Sequence, residues 1–416
     1  VPTWVMASGD AVGIAFGAGT TRYTAPAGAL YNFAIEAQCQ VLARDSYTLA
    51  NLYVRVTINT VGAASTVDSR VGGGDGTQQV SIGAGLTGDF SDAVNTDALV
   101  TGDLFNSKVI VGAGGNLTLT IVSFTLATVA NNTPIIVTAT PHDEGDDSDG
   151  FFVIVGNNDT HWGENRAKYT IRTATTLSNF RIYIYLNTIN AASEARPRVN
   201  NGNVNQVVNI GALTTGDFED AGNTDVIGVG DNVCLAVFSG IDAGQEIGWT
   251  LAQLKSTSVV RQTGVGEPKT DWLAFGLTRY LAIAGQPGSY VVAEVDAQCL
   301  TRQYLTARNM FVSVDMNTLD GASTIHIRKS GVNGTLTVSI PLGATGEFED
   351  LVNSDNFTNV DTMNWRVVTG GTAGDLDVGT IGFEQVQLVG PSGTPAGALT
   401  GASGVVTGAG VARLLL

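Results

Sequence analysis

The sequence predicts an all-β protein built from three tandem antiparallel β-sandwich domains. Three observations carry that prediction. The segment VSIGAGLTGDFSDAVNTD (80–97) recurs as VNIGALTTGDFEDAGNTD (208–225) and as VSIPLGATGEFEDLVNSD (338–355), at offsets of 128 and 130 residues. The same offsets link Asn51, Asn179 and Asn309; Asn59, Asn187 and Asn317; Ser65, Ser193 and Ser323; Arg70, Arg198 and Arg328; and Asp103, Asp231 and Asp361. Units of this size suit one compact domain each, whereas solenoid and propeller repeats run to about 20–50 residues. Within each unit the apolar residues alternate with polar ones, the period of a strand with one face in a core. Turn chemistry fills the gaps: Gly is 52 of 416 residues, and only 14 % of the chain is charged.

Taken in order, LYVRVTIN (52–59), FRIYIYLN (180–187) and MFVSVDMN (310–317) read as equivalent strands. A second set is TQQVSIGAG, NQVVNIGAL and TLTVSIPLG, and a third is LTLTIVSFTLA, EIGWTLAQL and DVGTIGFEQVQL. Between them VGGGDGT, VNNGNVN and SGVNGT supply the positive φ that tight hairpins need. Upstream, AFGAGTTRY (15–23) pairs with AFGLTRY (274–280), AQC recurs at Cys39 and Cys299, and WGENRAKY (162–169) is a blurred middle copy. No amphipathic helix of three turns is legible.

The pattern divides the chain into domains at 1–130, 131–262 and 263–388, with a Gly/Ala-rich tail at 389–416. The stretch 131–150, with its acidic run Asp143, Glu144, Asp146, Asp147 and Asp149, reads as the first linker, and RQTGVGEPKTD (261–271) as the second. The tail is a flexible segment or a docking segment. In the latter reading its apolar end, Val411, Leu414, Leu415 and Leu416 around Arg413, adds to a neighbour's sheet.

Composition excludes several classes of function. With 21 Lys and Arg against 38 Asp and Glu, the net charge of −17 repels phosphate backbones, so nucleic acid is not an expected partner. No apolar run is long enough to span a membrane. Three scattered cysteines, Cys39, Cys234 and Cys299, suit buried apolar positions and neither a disulfide framework nor a CxxC metal site. The opening VPTWVMASGD lacks a signal-peptide pattern and leaves the compartment open.

The repeated T-G-D/E-F-x-D-x-x-N-x-D block offers hard oxygen ligands that would suit Ca²⁺: Asp89, Asp92, Asn95, Asp97; Asp217, Asp220, Asn223, Asp225; and Glu347, Asp350, Asn353, Asp355. Its spacing is not that of an EF-hand. The competing reading is a structural corner in which Phe90, Phe218 and Phe348 plug the core while the Asp and Asn side chains cap backbone N–H groups. No other cofactor is expected. Arg70, Arg198 and Arg328 stand out because Arg is scarce. Each either ties down its own unit or bridges two units with its planar fork. Gly83, Gly85 and Gly88 spell GxGxxG, but a Phe-Ser-Asp turn follows where a dinucleotide site needs a helix. His142, His161 and His326 are non-equivalent and read as surface or linker residues. No nucleophile, metalloprotease or phosphate-loop motif appears, and no acid/base pair recurs, so no enzyme activity is expected.

The order ST–R–NG–VSI–TG(D/E)F–D–N(T/S)D–GD resembles domains of structural and fibre-like proteins of tailed bacteriophages, which are similar to C1q/TNF-like jelly rolls. The third unit shows it best, at Ser323, Thr324, Arg328, Asn333, Gly334, Val338, Ser339, Ile340, Thr345, Gly346, Glu347, Phe348, Asp350, Asn353, Ser354 and Asp355. The resemblance covers the second half of each unit. It implies jelly-roll-like sandwiches and a non-enzymatic virion surface, decoration or fibre component that partners other structural subunits. Three units in tandem and the blurred start of the second depart from the pattern, and leave open whether the domains close as a pseudo-trimer or run as beads. The alternatives are a subunit of an extracellular or cell-surface filament joined through its tail, and a glycan-binding adhesion module.

Overall fold

The computed structural model describes residues 3–128, 135–145, 148–155, 164, 167–258, 261–265, 272–283 and 290–387. The first unit has eight principal strands: β1 (Thr3–Gly17), β2 (Thr21–Thr24), β3 (Tyr47–Asn59), β4 (Ser65–Val71), β5 (Gly74–Ile82), β6 (Gly88–Leu99), β7 (Leu104–Ile110) and β8 (Asn116–Thr128). The second has β9 (Ile135–Gly145), β10 (Asp149–Val153), β11 (Thr175–Asn187), β12 (Ser193–Val199), β13 (Val208–Ile210), β14 (Gly216–Ile227), β15 (Asn232–Phe238) and β16 (Glu246–Ser256). The third has β17 (Arg261–Val265), β18 (Thr278–Leu281), β19 (Leu305–Asn317), β20 (Ser323–Lys329), β21 (Val332–Ile340), β22 (Gly346–Phe357), β23 (Thr362–Val368) and β24 (Asp375–Gln387).

The pairing is the same in each unit. One sheet runs first-eighth-third-sixth (β1-β8-β3-β6, β9-β16-β11-β14, β17-β24-β19-β22). The other runs second-seventh-fourth-fifth (β2-β7-β4-β5, β10-β15-β12, β18-β23-β20-β21), with β13 and the two-residue strand Gly202–Asn203 sharing the fifth place on β12. Strands that alternate between two facing sheets in this order are a jelly roll. Helix is confined to single turns at Glu36–Cys39 and Glu294–Ala297 among the described residues.

Local chemistry explains the repeated positions. The fourth and fifth strands join through residues of positive φ: Gly72 and Gly73, Asn200 and Asn201, Ser330 and Gly331. Two successive positive φ values match the right-handed twist of a tight hairpin. Asn51, Asn179 and Asn309, at φ 54, 53 and 52°, each sit where the third strand slips register against a bulge in the sixth. Asn is among the few non-Gly residues that tolerate this left-handed conformation, which accounts for its recurrence.

Both stretches read as linkers are partly strand. Residues 135–145 and 149–153 are the first two strands of the second roll, so Asp143, Glu144 and Asp149 belong to a sandwich; Asp146 and Asp147 lie outside the described residues. Arg261–Val265 pairs with β24 as the first strand of the third roll, so that roll begins before residue 263. A connection that doubles as an edge strand lacks the alternation of a half-buried strand. The AQC match is likewise out of register: Cys39 ends a helical turn, while Cys299 lies in a short strand opposite Met363, the place that Val41 holds opposite Phe105.

Candidate assembly interface

A strand covered on one side should bury every second residue, but β3 buries Leu52, Tyr53, Val54, Arg55 and Val56 in succession. Its second face is covered by another roll. Val5, Ala7, Tyr53 and Ile121 on the outer face of the first roll pack into the core of the third, beside Cys299 and Leu305. Ala139, Leu251 and Tyr183 on the outer face of the second pack into the core of the first. Phe311 on the outer face of the third packs into the core of the second, with its ring edge-on to Tyr169 at 4.9 Å between centroids.

Each contact is made by the same part of each roll, the segment leading into the third strand. Arg44, Arg172 and Arg302 occupy equivalent places in it, at the repeat offsets of 128 and 130. Arg44 pairs with Glu219 of the second roll at 2.6 Å. Arg172 pairs with Glu349 of the third at 2.7 Å, also pairs with Glu347, and lies 5.4 Å from the Phe311 ring centroid. Arg302 reaches the first roll, donating to the Ser91 hydroxyl at 2.6 Å with its guanidinium 5.9 Å from the Tyr53 ring centroid. Ser91, Glu219 and Glu349 are themselves equivalent by the repeat. First on second, second on third and third on first, the contacts close a ring with a pseudo-threefold axis, as a head-to-tail interface does when its rotation closes.

Around the arginines, each contact has its own polar chemistry. The Gln253 side-chain amide accepts from Leu42 N at 3.0 Å and donates to Leu42 O at 2.6 Å, as a β-ladder residue would. Arg181 donates to Gln40 O at 2.9 Å, and Lys255 pairs with Asp45 at 3.1 Å. Burial pushes the Arg181 guanidinium down, opposed by Asp217, with which it pairs at 2.5 Å. The third-on-first contact differs. Among the described residues no carboxylate lies within ion-pair distance of Arg302, and burial lowers its pKa. Asp89 is engaged instead with Arg55 at 2.9 Å and the Tyr53 hydroxyl at 2.8 Å. The Cys299 thiol is pushed up to about 12 by burial, a rise that Ser123 across the contact opposes.

Arg70, Arg198 and Arg328 are placed inside their own rolls. Each pairs with the Glu of its roll's connecting segment, Glu36 and Glu164 and Glu294, at 2.8, 2.9 and 2.8 Å, and each donates to a carbonyl of the adjacent hairpin. Of the two roles open to them they take the tie within the unit, and the bridging role falls to Arg44, Arg172 and Arg302. A repeated Arg signals a repeated partner, and spacing does not say in which roll that partner sits.

The acidic block joins the two sheets of each roll. Asp92 accepts from Gln79 N, Val94 N, Asn95 N and Asn95 Nδ2 at 3.0, 3.1, 3.1 and 2.8 Å, and Asp220 and Asp350 repeat the pattern with Asn223 and Asn353. Burial pushes these three carboxyls up, and the hydrogen bonds outweigh it, so all three lie below the ordinary aspartate value. Asp97 accepts from Ser69, Thr77 N and Gln78, Asp225 from Asn205 N and Gln206, and Asp355 from Thr335 N and Leu336 N. Asp217 and Glu347, like Asp89, pair with arginines. N–H donors or cations thus engage the acidic oxygens of the block, and no three His, Cys, Asp or Glu side chains among the described residues are grouped to hold a metal ion. Phe90, Phe218 and Phe348 are half-buried against the three cores.

The remaining candidates are quickly placed. Cys39, Cys234 and Cys299 are buried free thiols. His142 and His326 are half-buried in strands and not on the surface: His142 lies 2.9 Å from Glu144 and 5.1 Å from the Phe152 ring centroid. His161 and the tail with Val411, Leu414, Leu415 and Leu416 lie outside the described residues. Of the glycines of the GxGxxG, Gly83 and Gly85 occupy the turn between β5 and β6 and Gly88 opens β6. No described helix is long and apolar enough to cross a membrane.

No protein-family model and no curated protein matches the chain. Solved structures similar to it include the following two. "The Triple Jelly Roll Fold and Turret Assembly in an Archaeal Virus" is 13 % identical over 89 % of this chain and 90 % of that one, at a TM-score of 0.19. "Life in the extremes: atomic structure of Sulfolobus Turreted Icosahedral Virus" is 12 % identical over 90 % and 92 %, at 0.21. At those scores neither carries an argument, and the jelly-roll assignment rests on strand order. Neither description names the tailed bacteriophages that the sequence resembles.

Proposed function

We propose that the chain is a non-enzymatic structural subunit, a pseudo-trimeric block that serves as a virion surface, decoration or fibre component. The observation that carries this reading is the closed ring of equivalent contacts. Joining the rolls in one chain removes the translational entropy cost of bringing three subunits together, so the block is formed at any concentration. Its partners are then other structural subunits. Ca²⁺ has no part in this reading, nor does any other cofactor.

Immuno-electron microscopy of native particles tests the placement, with antibody raised against the full chain. Regular decoration of particle surfaces is the expected outcome, and label confined to cell-attached filaments or to unassembled protein refutes it. Binding to a glycan array by the multivalent protein would favour the adhesion alternative.

A further inference from the structure

We infer that the third-on-first contact is also an interface between copies of this chain, the third roll of one copy seating on the first roll of another. This rests on the ring geometry alone and stands or falls separately from a place in a virion. The first two contacts join rolls that are consecutive in sequence, whereas the closing contact joins the terminal rolls, with no direct chain connection between them. It is heterologous, so a chain that opens there carries both halves: the outer face around Tyr53, Ile121 and Ser123 at one end, and the segment with Cys299 and Arg302 at the other. Two open chains satisfy each other's surfaces with the contacts each would make alone, the condition for exchanging an element between protomers.

The closing contact is also the one whose arginine has no acid directly paired with it, Asp89 acting on Arg302 only from a distance. Where Arg44 and Arg172 meet Glu219 and Glu349, Arg302 meets Ser91. Opening therefore separates one charge-assisted hydrogen bond, a cation–ring contact and an apolar patch, with no direct ion pair to break.

Ser123→Cys provides the test, because Ser123 lies beside Cys299 across this contact. Oxidised within one closed chain, the new thiol pairs with Cys299 and gives a monomer on a non-reducing denaturing gel. Oxidised in an exchanged pair, the same disulfide gives a reducible dimer. The dimer share is expected to rise with the protein concentration at which the chain is held before oxidation. In parallel, two differently tagged wild-type chains, held together at high concentration and then diluted, should co-purify. Ser91→Glu, which gives Arg302 the acid its counterparts have, makes the open chain rarer and should slow the appearance of co-purifying chains by about fivefold. Monomer alone with both thiols consumed overturns the inference. So does an absence of co-purification, and so does co-purification whose rate Ser91→Glu leaves unchanged.

Discussion

Replacing Arg44, Arg172 and Arg302 one at a time by Ala should destabilise the block by different amounts, and should separate them by salt. Arg172 loses most. Its side chain is 9 % exposed and faces Glu347 and Glu349, which are 35 % and 41 % exposed. Solvent screens such pairs, so each contributes about 0.5–1 kcal/mol, below the value of a fully buried pair. The guanidinium over Phe311 adds about 0.5–1 kcal/mol, which brings the loss to about 1.5–3 kcal/mol. Arg44 has one pair and should cost about 1 kcal/mol. Arg302 has a hydrogen bond and a ring contact, and should also cost about 1 kcal/mol. If the rolls unfold together, the loss at Arg172 lowers Tm by about 3 °C, from the typical unfolding entropy per residue. The decisive assay is urea unfolding at low salt and at about 1 M salt, where the screening length falls to roughly 3 Å. The deficits of Arg44→Ala and Arg172→Ala should shrink in salt and that of Arg302→Ala should not. The ring argument is refuted if Arg172→Ala unfolds like Arg22→Ala, whose residue makes an exposed bond to its neighbour's carbonyl, or if all three deficits respond to salt alike.

Tyr53→Ala, which empties a fully buried ring site between the first and third rolls, should cost about 3–4 kcal/mol by urea unfolding. It should also raise the radius of gyration in small-angle scattering above the ~21 Å of a compact block, as the terminal rolls part while the other two contacts hold. Asp92, Asp220 and Asp350 sit below their ordinary values, so the stability they contribute is fully present above about pH 4 and is lost as pH falls through their folded-state values. Acid titration by circular dichroism should place the onset below pH 4, and Asp350→Asn should be less stable at pH 7 with a smaller drop on acidification. Gly334→Ala should cost about 1–2 kcal/mol by thermal unfolding, because a Cβ there would lie 2.4 Å from Asp355 Oδ2; wild-type stability would exclude the clash.

Gly334 also shows what the repeat encodes and where its meaning stops. Its equivalent in the first roll is Gly76, where a Cβ would meet Ser69 and Asp97, while the second roll has Val204. There the fifth strand is broken into Gly202–Asn203 and Val208–Ile210, in contrast to the nine-residue strands of the other two rolls. The reading of NQVVNIGAL as a full strand overlooked this, because alternation survives in residues whose backbone has been pushed off the ladder. The three rolls and their central strands were legible because core burial imposes a period of two and turn geometry imposes Gly or Asn. The edge strands at 135–145 and 261–265 were not, since one flank of each is unpaired and the pattern there is weak.

The ring was within reach of the same arithmetic that singled out Arg70, Arg198 and Arg328. Arg44, Arg172 and Arg302 obey the same offsets, but their surroundings, LARD and TIRT and LTRQ, share almost nothing else. That contrast has a physical cause. An Arg that closes its own hairpin needs the same hairpin each time, so its flanking residues recur with it. An Arg that reaches a neighbouring roll needs only to be carried to the right place, and its partner varies from Ser91 to Glu219 to Glu349 because three covalently joined contacts need not be alike. In a homotrimer one sequence must serve all three contacts. In a tandem chain each can drift, and the pattern found here, an acid paired directly with the arginine at the two contacts between consecutive rolls and a hydroxyl in its place at the closing one, is a form of specialisation open only to the fused arrangement.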